Sequence, residues 1–264
     1  MAKRKNSTTG EERFETFYSS LYGPRWPSLR EALLRETEEK VSPEGLSSPY
    51  YMDRSSLLTA SLLPVRPGMK VLDMCAAPGG KSLVLALALE GEGSLTSNDR
   101  SPERRRRMKD VFSSCLPQCS VDIKITGFNA ESWGLYEKDE YDCILLDAPC
   151  SSERHVMNDM KYLSEWSPSR PKRLSVSQYA MLSSALMAVR EGGYILYSTC
   201  SINSGENEDV ITKLFERHSD EVEETEVTNG GEKRAHGTLI LPDTCGGLGP
   251  MYSCLLRKKV KDEE

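Results

Sequence analysis

The chain has 264 residues, 38% of them apolar, enough for one large domain, or one domain with an N-terminal extension, around a real core. No apolar run is long enough to span a bilayer, and "MAKRKNSTTGEE" lacks the apolar stretch of a secretory signal, so a membrane role is excluded on this reading. The formal net charge is −6, but base gathers at Lys3–Lys5, Arg104–Arg107, Arg170–Arg173 and Arg257–Lys259, and acid in residues 219–226, so a nucleic-acid partner is not excluded.

Residues 1–10 are expected to be disordered. From Phe14 to about Leu63 the pattern predicts helices interrupted by Pro24, Pro27, Pro43 and Pro49. Within it, "WPSLREALLRE" reads as a helix capped by Ser28, with Leu29, Leu33 and Leu34 on one face. The expected division is an N-terminal helical extension over residues 1–63 and a main domain over residues 64–260. "KVLDM" then predicts a strand and "KSLVLALALE" a helix. "GSLTSND" predicts a second strand, followed by the helix "SPERRRRMKDVFSS", with Ser101 as cap and Pro102 as its first residue. "SVDIKIT" alternates as a strand does, and "YDCILLD" reads as a strand with the continuous apolar run "CILL". The helix "SVSQYAMLSSALMAV", the apolar strand "GGYILYSTC", the helix "GENEDVITKLFERH" and a last strand "YSCLLRKK" complete the chain. Strands alternating with helices, several of them apolar on both faces, predict an open α/β sheet.

Ligands of such sheets sit beyond the carboxyl ends of the strands, so those ends are where chemistry is expected. The first strand runs into "CAAPGGKS". This loop approaches the phosphate-loop pattern G-x-x-x-x-G-K-[ST], but Cys75 stands where that pattern has its first glycine, and Pro78 removes an N–H that would cradle phosphate. Asp99 lies about 20 residues past the glycines, the distance at which a carboxylate accepts bonds from ribose hydroxyls. Asn129, after the third strand, is placed to accept from an adenine amino group. Glycine loop, ribose acid and adenine partner without a triphosphate site point to S-adenosylmethionine. Two further strands end at Cys150 and Cys200, whose thiols would share a pocket if those strands are neighbours. A thiolate adding to carbon 6 of cytosine makes carbon 5 nucleophilic towards a sulfonium methyl group, and Asp147 would stabilise charge building at ring N3. None of the eight cysteines has metal-ligand spacing, so no metal is expected. Cys75, Cys115, Cys119, Cys143, Cys245 and Cys254 read as packing residues, and Trp26, Trp133 and Trp166 as core or loop anchors, with base stacking as the other reading of Trp166.

"CAAPGGKS", "LLDAPCSS" and "YSTCSINSGENE", in this order, resemble the cofactor, proline-cysteine and threonine-cysteine motifs of the Sun/Fmu family of RNA (cytosine-5) methyltransferases, over roughly residues 60–258. "DAPCSSERHVM", "FETFYSSLYGPRWPSL" and "LGPMYSCLLRK" are similar to its mitochondrial ribosomal-RNA subgroup. The resemblance implies a Rossmann-like sheet, mostly parallel with an antiparallel last strand and helices on both faces. It implies Cys200 as the nucleophile, Cys150 in product release, Asp147 holding the cytosine and Lys81 beside the reacting groups. The cofactor would be held by Cys75, Ala76, Ala77, Pro78, Gly79, Gly80, Lys81, Asp99, Arg104, Asn129 and Asp147. The family's third motif normally has aspartate where Asn129 stands. The implied substrate is ribosomal RNA in an assembling small subunit, with transfer RNA or a non-catalytic assembly role as alternatives. A DNA methyltransferase would use the Pro-Cys thiol as nucleophile and carry a large target-recognition domain. The family's RNA-binding appendages are not seen, so a structured substrate or a presenting protein partner is expected, with the chain itself a monomer. A cytoplasmic location is expected, since Glu11 and Glu12 argue against a transit peptide, or a mitochondrial one if a cleaved targeting segment is missing.

Overall fold

The computed structural model describes residues 8–35 and 40–261. The basic cluster Lys3–Lys5 lies outside the described residues, as does most of the segment expected to be disordered. Thr9 and Gly10 do not fit that expectation. Thr9 caps the first helix, α1 (Gly10–Tyr22), accepting from the Glu12 N–H at 3.1 Å while the Glu12 carboxylate accepts from the Thr9 N–H at 2.8 Å. This reciprocal capping box satisfies two otherwise orphaned donors. After it, α2 (Trp26–Leu34) has Pro27 in its first turn. Ser28 is not its cap: it lies inside the helix, and its hydroxyl donates to the Arg25 carbonyl at 2.9 Å. A small ribbon, β1 (Lys40–Val41) with β2 (Met52–Asp53), and helix α3 (Arg54–Ala60) lead into the main sheet.

The predicted strands are all present. They are β3 (Lys70–Asp73), β4 (Ser94–Asn98), β5 (Asp122–Thr126), β6 (Tyr141–Asp147) and β7 (Val189–Thr199). The helices between them are α4 (Gly80–Ala88), α5 (Pro102–Cys115), the short α6 (Glu153–Met157) and α7 (Met160–Glu165), and α8 (Ser169–Ala188). Ser101 caps α5 as expected, accepting from the Arg104 N–H. α8 starts earlier than its apolar pattern, so Arg170, Lys172 and Arg173 form its first turns. Then come α9 (Glu208–His218), β8 (Val222–Thr225), β9 (Glu232–Lys233), β10 (Thr238–Ile240) and β11 (Met251–Lys258). β8 falls within the acidic stretch 219–226, and its glutamates are paired, Glu223 with Arg257 of β11 at 3.6 Å and Glu224 with His236 of the turn between β9 and β10 at 2.8 Å.

Strand order is β5-β4-β3-β6-β7-β11-β10-β9, with β8 also on β11. The five strands β3 to β7 are mutually parallel, and β11 runs antiparallel to β7. Side chains alternate between two apolar layers. Leu72, Ile144, Leu146, Ile195 and Tyr197 share one core with Phe14, Tyr18, Trp26, Leu29 and Leu33 of the N-terminal helices. Val71, Cys143, Leu145 and Leu196 pack on the other face with Leu85 and Leu89. Helices therefore cover both faces, and α1 and α2 are built into the core of the sheet. Trp166 lies in that core, 1% exposed and edge-on to Phe14, so it is an anchor and not a stacking platform. Among the described residues no helix is long and apolar enough to cross a membrane.

Candidate active site

The chain leaves β3 towards β4 and β5 on one side, and β6 and β7 lie on the other. The crevice between β3 and β6 is thus the point where strand order reverses, the position at which open α/β sheets take ligands. On one side of it stands the loop after β3. Gly79 has φ +115°, a left-handed conformation that glycine adopts at no steric cost, and its Hα faces the side chains of Met108 and Phe112. A Cβ on Gly80 would come to 2.7 Å from the Tyr50 ring, so the ribbon segment closes tightly over the loop. Asn98, which motif reading does not single out, ties the strand ends together: its amide donates to the Met74 and Phe128 carbonyls and accepts from the Phe128 N–H at 2.8 Å.

Asp73, at the tip of β3, is 1% exposed. One of its oxygens accepts from Ser82 at 2.7 Å, while Oδ1 has no partner. Burial pushes its pKa up to about 7, helped by the Asp147 charge and opposed by the Ser82 bond and Lys81. Asp99 is also buried, its Oδ1 accepting from the Ser101 N–H at 2.8 Å and its Oδ2 lying 3.1 Å from the Arg104 guanidinium. Arg104 in addition donates to the Ala77 carbonyl, so it bridges the glycine loop to the acid. A cavity of about 160 Å³ is lined by Asn98, Asp99, Arg104, Phe128, Asn129 and Met181. The Asn129 side chain is partly committed there, because its Oδ1 caps the following turn by accepting from the Glu131 N–H at 3.3 Å. One lone pair remains.

β6 and β7 pair in register with Asp147 opposite Ser198, so their end loops leave the sheet side by side. Cys150 and Cys200 meet, with 3.1 Å between the sulfurs. The Ser152 hydroxyl lies 3.3 Å from the Cys200 sulfur and 3.5 Å from that of Cys150. Residue 152 sits at φ +51°, a strained position for serine that aims its hydroxyl between the thiols. A hydrogen bond from Cys150 lowers the pKa of Cys200; burial opposes this and the Ser152 bond reinforces it. The Cys150 thiol is pushed well above its ordinary value by the same bond and by burial. The geometry therefore favours a thiolate on Cys200 and a proton on Cys150.

Asp147 Oδ2 accepts from the Lys81 ammonium at 2.8 Å and Oδ1 from Ser198 at 2.8 Å. Burial works against the Lys81 charge, but the Asp147 charge and hydrogen bond outweigh it and hold its pKa above the ordinary value. Lys81, Asp147, Cys150 and Cys200 all line one cavity of about 710 Å³, together with Cys75, Arg104 and Arg154. The family model described as 16S rRNA methyltransferase RsmB/F matches residues 60–256. The chain belongs to the RsmB/F family.

This RsmB/F chain is 35% identical over 230 residues to a bovine protein named 5-cytosine rRNA methyltransferase NSUN4, covering 80% of this chain and 59% of that relative. It thus spans under two thirds of the relative's length. It is 30% identical over 252 residues to a mouse mitochondrial tRNA (cytosine(34)-C(5))-methyltransferase, covering 89% of this chain and 72% of the relative. The crystal structure of a methyltransferase homologue from Pyrococcus horikoshii shares the fold, with a TM-score of 0.78 at 22% identity over 94% of this chain and 95% of that one. The resemblance carried by the three cysteine- and glycine-bearing motifs is borne out at the level of family and fold. Motif reading passed over Asp73, Asn98, Ser152 and Ser198, which lie within or beside the motifs. The available signal was position alone: each ends a strand or follows a site residue closely.

Proposed function

We propose that this chain transfers a methyl group from S-adenosylmethionine to carbon 5 of cytosine in RNA, with small-subunit ribosomal RNA as the substrate. The observation that carries the reading is the pair of thiols 3.1 Å apart, with the thiolate favoured on Cys200, in the same cavity as the Lys81–Asp147 pair.

The residues present fit the cofactor. The Asp73 oxygen without a partner stands in the wall of a second cavity of about 270 Å³ that also includes Ala76, Ala77, Pro78, Gly80 and Lys81, and it suits an ammonium group. Asp99 would take the ribose hydroxyls, and Asn129 and Phe128 would border the adenine. When bound, the cofactor supplies an electrophilic methyl group. The chain's own residues prepare the acceptor. Cys200 presents the nucleophilic sulfur, Asp147 keeps a free lone pair on each oxygen for the polar edge of the base, and Lys81 orients the carboxylate by donating to its Oδ2. Cys150 holds a proton next to the sulfur that must later be expelled.

Asp99→Ala is expected to weaken S-adenosylmethionine binding by ~1.5 to 3 kcal/mol, the range for a charge-assisted bond, with no appreciable binding of magnesium-ATP to either protein. Isothermal calorimetry measures both, and tight ATP binding without cofactor binding would overturn the assignment.

Within the basic cluster Arg104–Arg107, Arg105 is spent locally: it donates to the Asp99 and Arg100 carbonyls at 2.7 and 3.0 Å. Arg107 pairs with Glu103 at 3.0 Å. Arg35, which pairs with Glu31 at 2.6 Å, and His155 rim the large cavity, and a phosphate backbone reaching the thiols passes along this wall. RNA affinity is expected to be weak and steeply salt-dependent, and Arg35→Ala should lower the log–log salt slope by about 0.7 to 0.9. Small-subunit particles should be methylated faster than protein-free transcripts; equal rates would show that no presented substrate is needed.

The mouse relative supports transfer RNA as the alternative substrate, and its mitochondrial name supports a mitochondrial location over a cytoplasmic one. Bisulfite sequencing of ribosomal and transfer RNA from a deletion strain, with and without the restored gene, decides between the substrates. Unchanged cytosine methylation in both would sink the reading.

A further inference from the structure

Directly beneath the two thiols lies a pair of carboxyl groups that the reaction does not use. Glu153 and Glu206 are both 0% exposed. Each reaches across from its own cysteine loop to the other. Glu153, three residues after Cys150, accepts from the Ile202 N–H at 3.1 Å and from the Ser201 hydroxyl at 3.0 Å. Glu206, six residues after Cys200, accepts from the Ser151 N–H at 2.9 Å. Ser151 and Ser201 are the residues next to the cysteines, so this reciprocal brace ties the two loops together immediately behind the sulfurs.

The proton count of the brace is informative. Glu206 Oε2 accepts from the Ser151 N–H and from Gln178 Nε2 at 3.0 Å, and Glu153 Oε2 accepts from Ile202. Both Oε1 atoms face the same two hydroxyls. Ser151 Oγ makes short contacts to Glu153 Oε1 and to Glu206 Oε1 at once, yet a serine hydroxyl carries one hydrogen. Two ionised carboxylates would leave one of those contacts as lone pair against lone pair. Ser201 cannot relieve it, since its own single hydrogen is already offered to both Oε1 atoms, at 3.0 and 3.2 Å. Among the described residues, the groups in contact with the pair from the surrounding elements bring no cation. They are Tyr18 of α1, whose hydroxyl donates to Glu153 at 2.5 Å, Tyr22 of α1, whose hydroxyl donates to the Ile202 carbonyl at 2.6 Å beside Glu153, Gln178 of α8, Tyr197 of β7, which donates to the Glu206 carbonyl at 2.6 Å, and the two cysteines. Arg154, next in sequence to Glu153, extends its guanidinium to the Ala32 carbonyl at 3.4 Å.

We propose that Glu153 and Glu206 hold one proton between them, on Glu206 Oε1, and act as positioning residues that fix the separation of Cys150 and Cys200. Like-charge carboxyls at this range cannot both ionise without cost. The direction at Glu206 agrees: burial, and then the Glu153 charge, push its pKa up to about 7. Tyr18 extends the brace to α1, which explains why the N-terminal helix is packed under the catalytic loops. The positioning role rests on the assignment of the cysteines as the reacting pair, whereas the shared proton does not.

The sign of the pH effect follows. The unfolded chain releases this proton near the ordinary glutamate value of about 4.3, while the folded chain keeps it to about pH 7. Between those values the folded state binds more protons, so stability falls as pH rises and the loss is complete above the upper value. The test compares wild type, Glu206→Gln and Glu206→Ala by thermal melting from about pH 5 to about pH 8, and by the alkylation rate of Cys200 with iodoacetamide read by mass spectrometry. Glutamine imitates the protonated carboxyl. Between those limits the wild-type Tm should drop by about 5 to 10 °C more than that of Glu206→Gln. Cys200 of Glu206→Gln should alkylate at close to the wild-type rate, and that of Glu206→Ala about tenfold more slowly at neutral pH, having lost its bond from Cys150. The infrared difference spectrum of wild type minus Glu206→Gln, in which the Asp73 carboxyl cancels, should show a protonated-carboxyl stretch. Parallel Tm curves, a Glu206→Gln protein that does not fold, or a difference spectrum without that stretch would each overturn the shared proton. None of these readouts involves methyl transfer, so a wild type that passes them but methylates no RNA would refute the proposed function alone.

Discussion

Cys200→Ala is expected to abolish both methylation and any covalent protein–RNA species, whereas Cys150→Ala should accumulate RNA attached through Cys200. The two sulfurs are 3.1 Å apart and differ in protonation: a hydrogen bond from Cys150 lowers the Cys200 pKa and raises that of Cys150. In the proposed reaction only a thiolate adds to carbon 6, so without Cys200 nothing would start. Without Cys150 the addition proceeds, but the group that carries a proton beside the departing sulfur is gone, and the adduct drains slowly. Removing the nucleophile should cost about 10⁴-fold or more in turnover, down to the limit of detection. On a denaturing gel, Cys150→Ala incubated with RNA and S-adenosylmethionine should give a slow-moving, nuclease-sensitive band. The double mutant should lose it. If Cys200→Ala traps RNA and Cys150→Ala does not, the Pro-Cys thiol is the nucleophile, as in the DNA enzymes.

The second large effect is expected at the Lys81–Asp147 pair. Its two side chains are 12% and 29% exposed, so it is neither a surface ion pair nor a fully dry one. Truncating one partner of a buried pair costs about 3 to 5 kcal/mol, because the other charge is left without compensation. With partial solvent access, Asp147→Ala should cost about 2 to 4 kcal/mol, seen as a fall in Tm of about 5 to 12 °C. Asp147→Asn keeps the shape and an acceptor for the Ser198 hydroxyl, so it should lose less stability. Its methylation rate should nevertheless drop at least about 100-fold, because the carboxylate charge facing the base is gone. Differential scanning calorimetry and single-turnover methylation separate the two effects. A stable Asp147→Asn protein of wild-type rate would remove Asp147 from the chemistry.

Much of this architecture is local information. The short apolar runs in "YDCILLD" and "GGYILYSTC" have strand length and turn residues beside them, and helices alternate with them, so the α/β class follows from length, flanks and pattern together. The loop "CAAPGGKS" with Asp99 behind it likewise reads directly, because a glycine turn and a strand-end acid are set by neighbouring residues. Cys200 ends one predicted strand and Cys150 follows another by three residues, and those strands prove to be adjacent. Ser28 and Asn129 show the limit of such reading. A polar residue near a proline, or at a strand end, has several hydrogen-bond partners within reach, and only the folded backbone selects one: the Arg25 carbonyl for Ser28, the Glu131 N–H for Asn129.

The sheet, the glycine loop and the two thiols are thus legible in local sequence, whereas packing between distant segments sets what holds them in place. Tyr18 lies 135 residues before Glu153, and Ser151 lies 55 before Glu206, yet these four groups form one buried network under the cysteines. No periodicity connects such positions. Acids beside cysteine motifs read as surface charge until the strand order puts β6 next to β7 and α1 closes over both. The physical reason is that burial creates the effect. A carboxyl is a solvated charge in the extended chain, and it becomes a proton-sharing brace only where packing has removed water and left hydroxyls and backbone N–H groups as its partners.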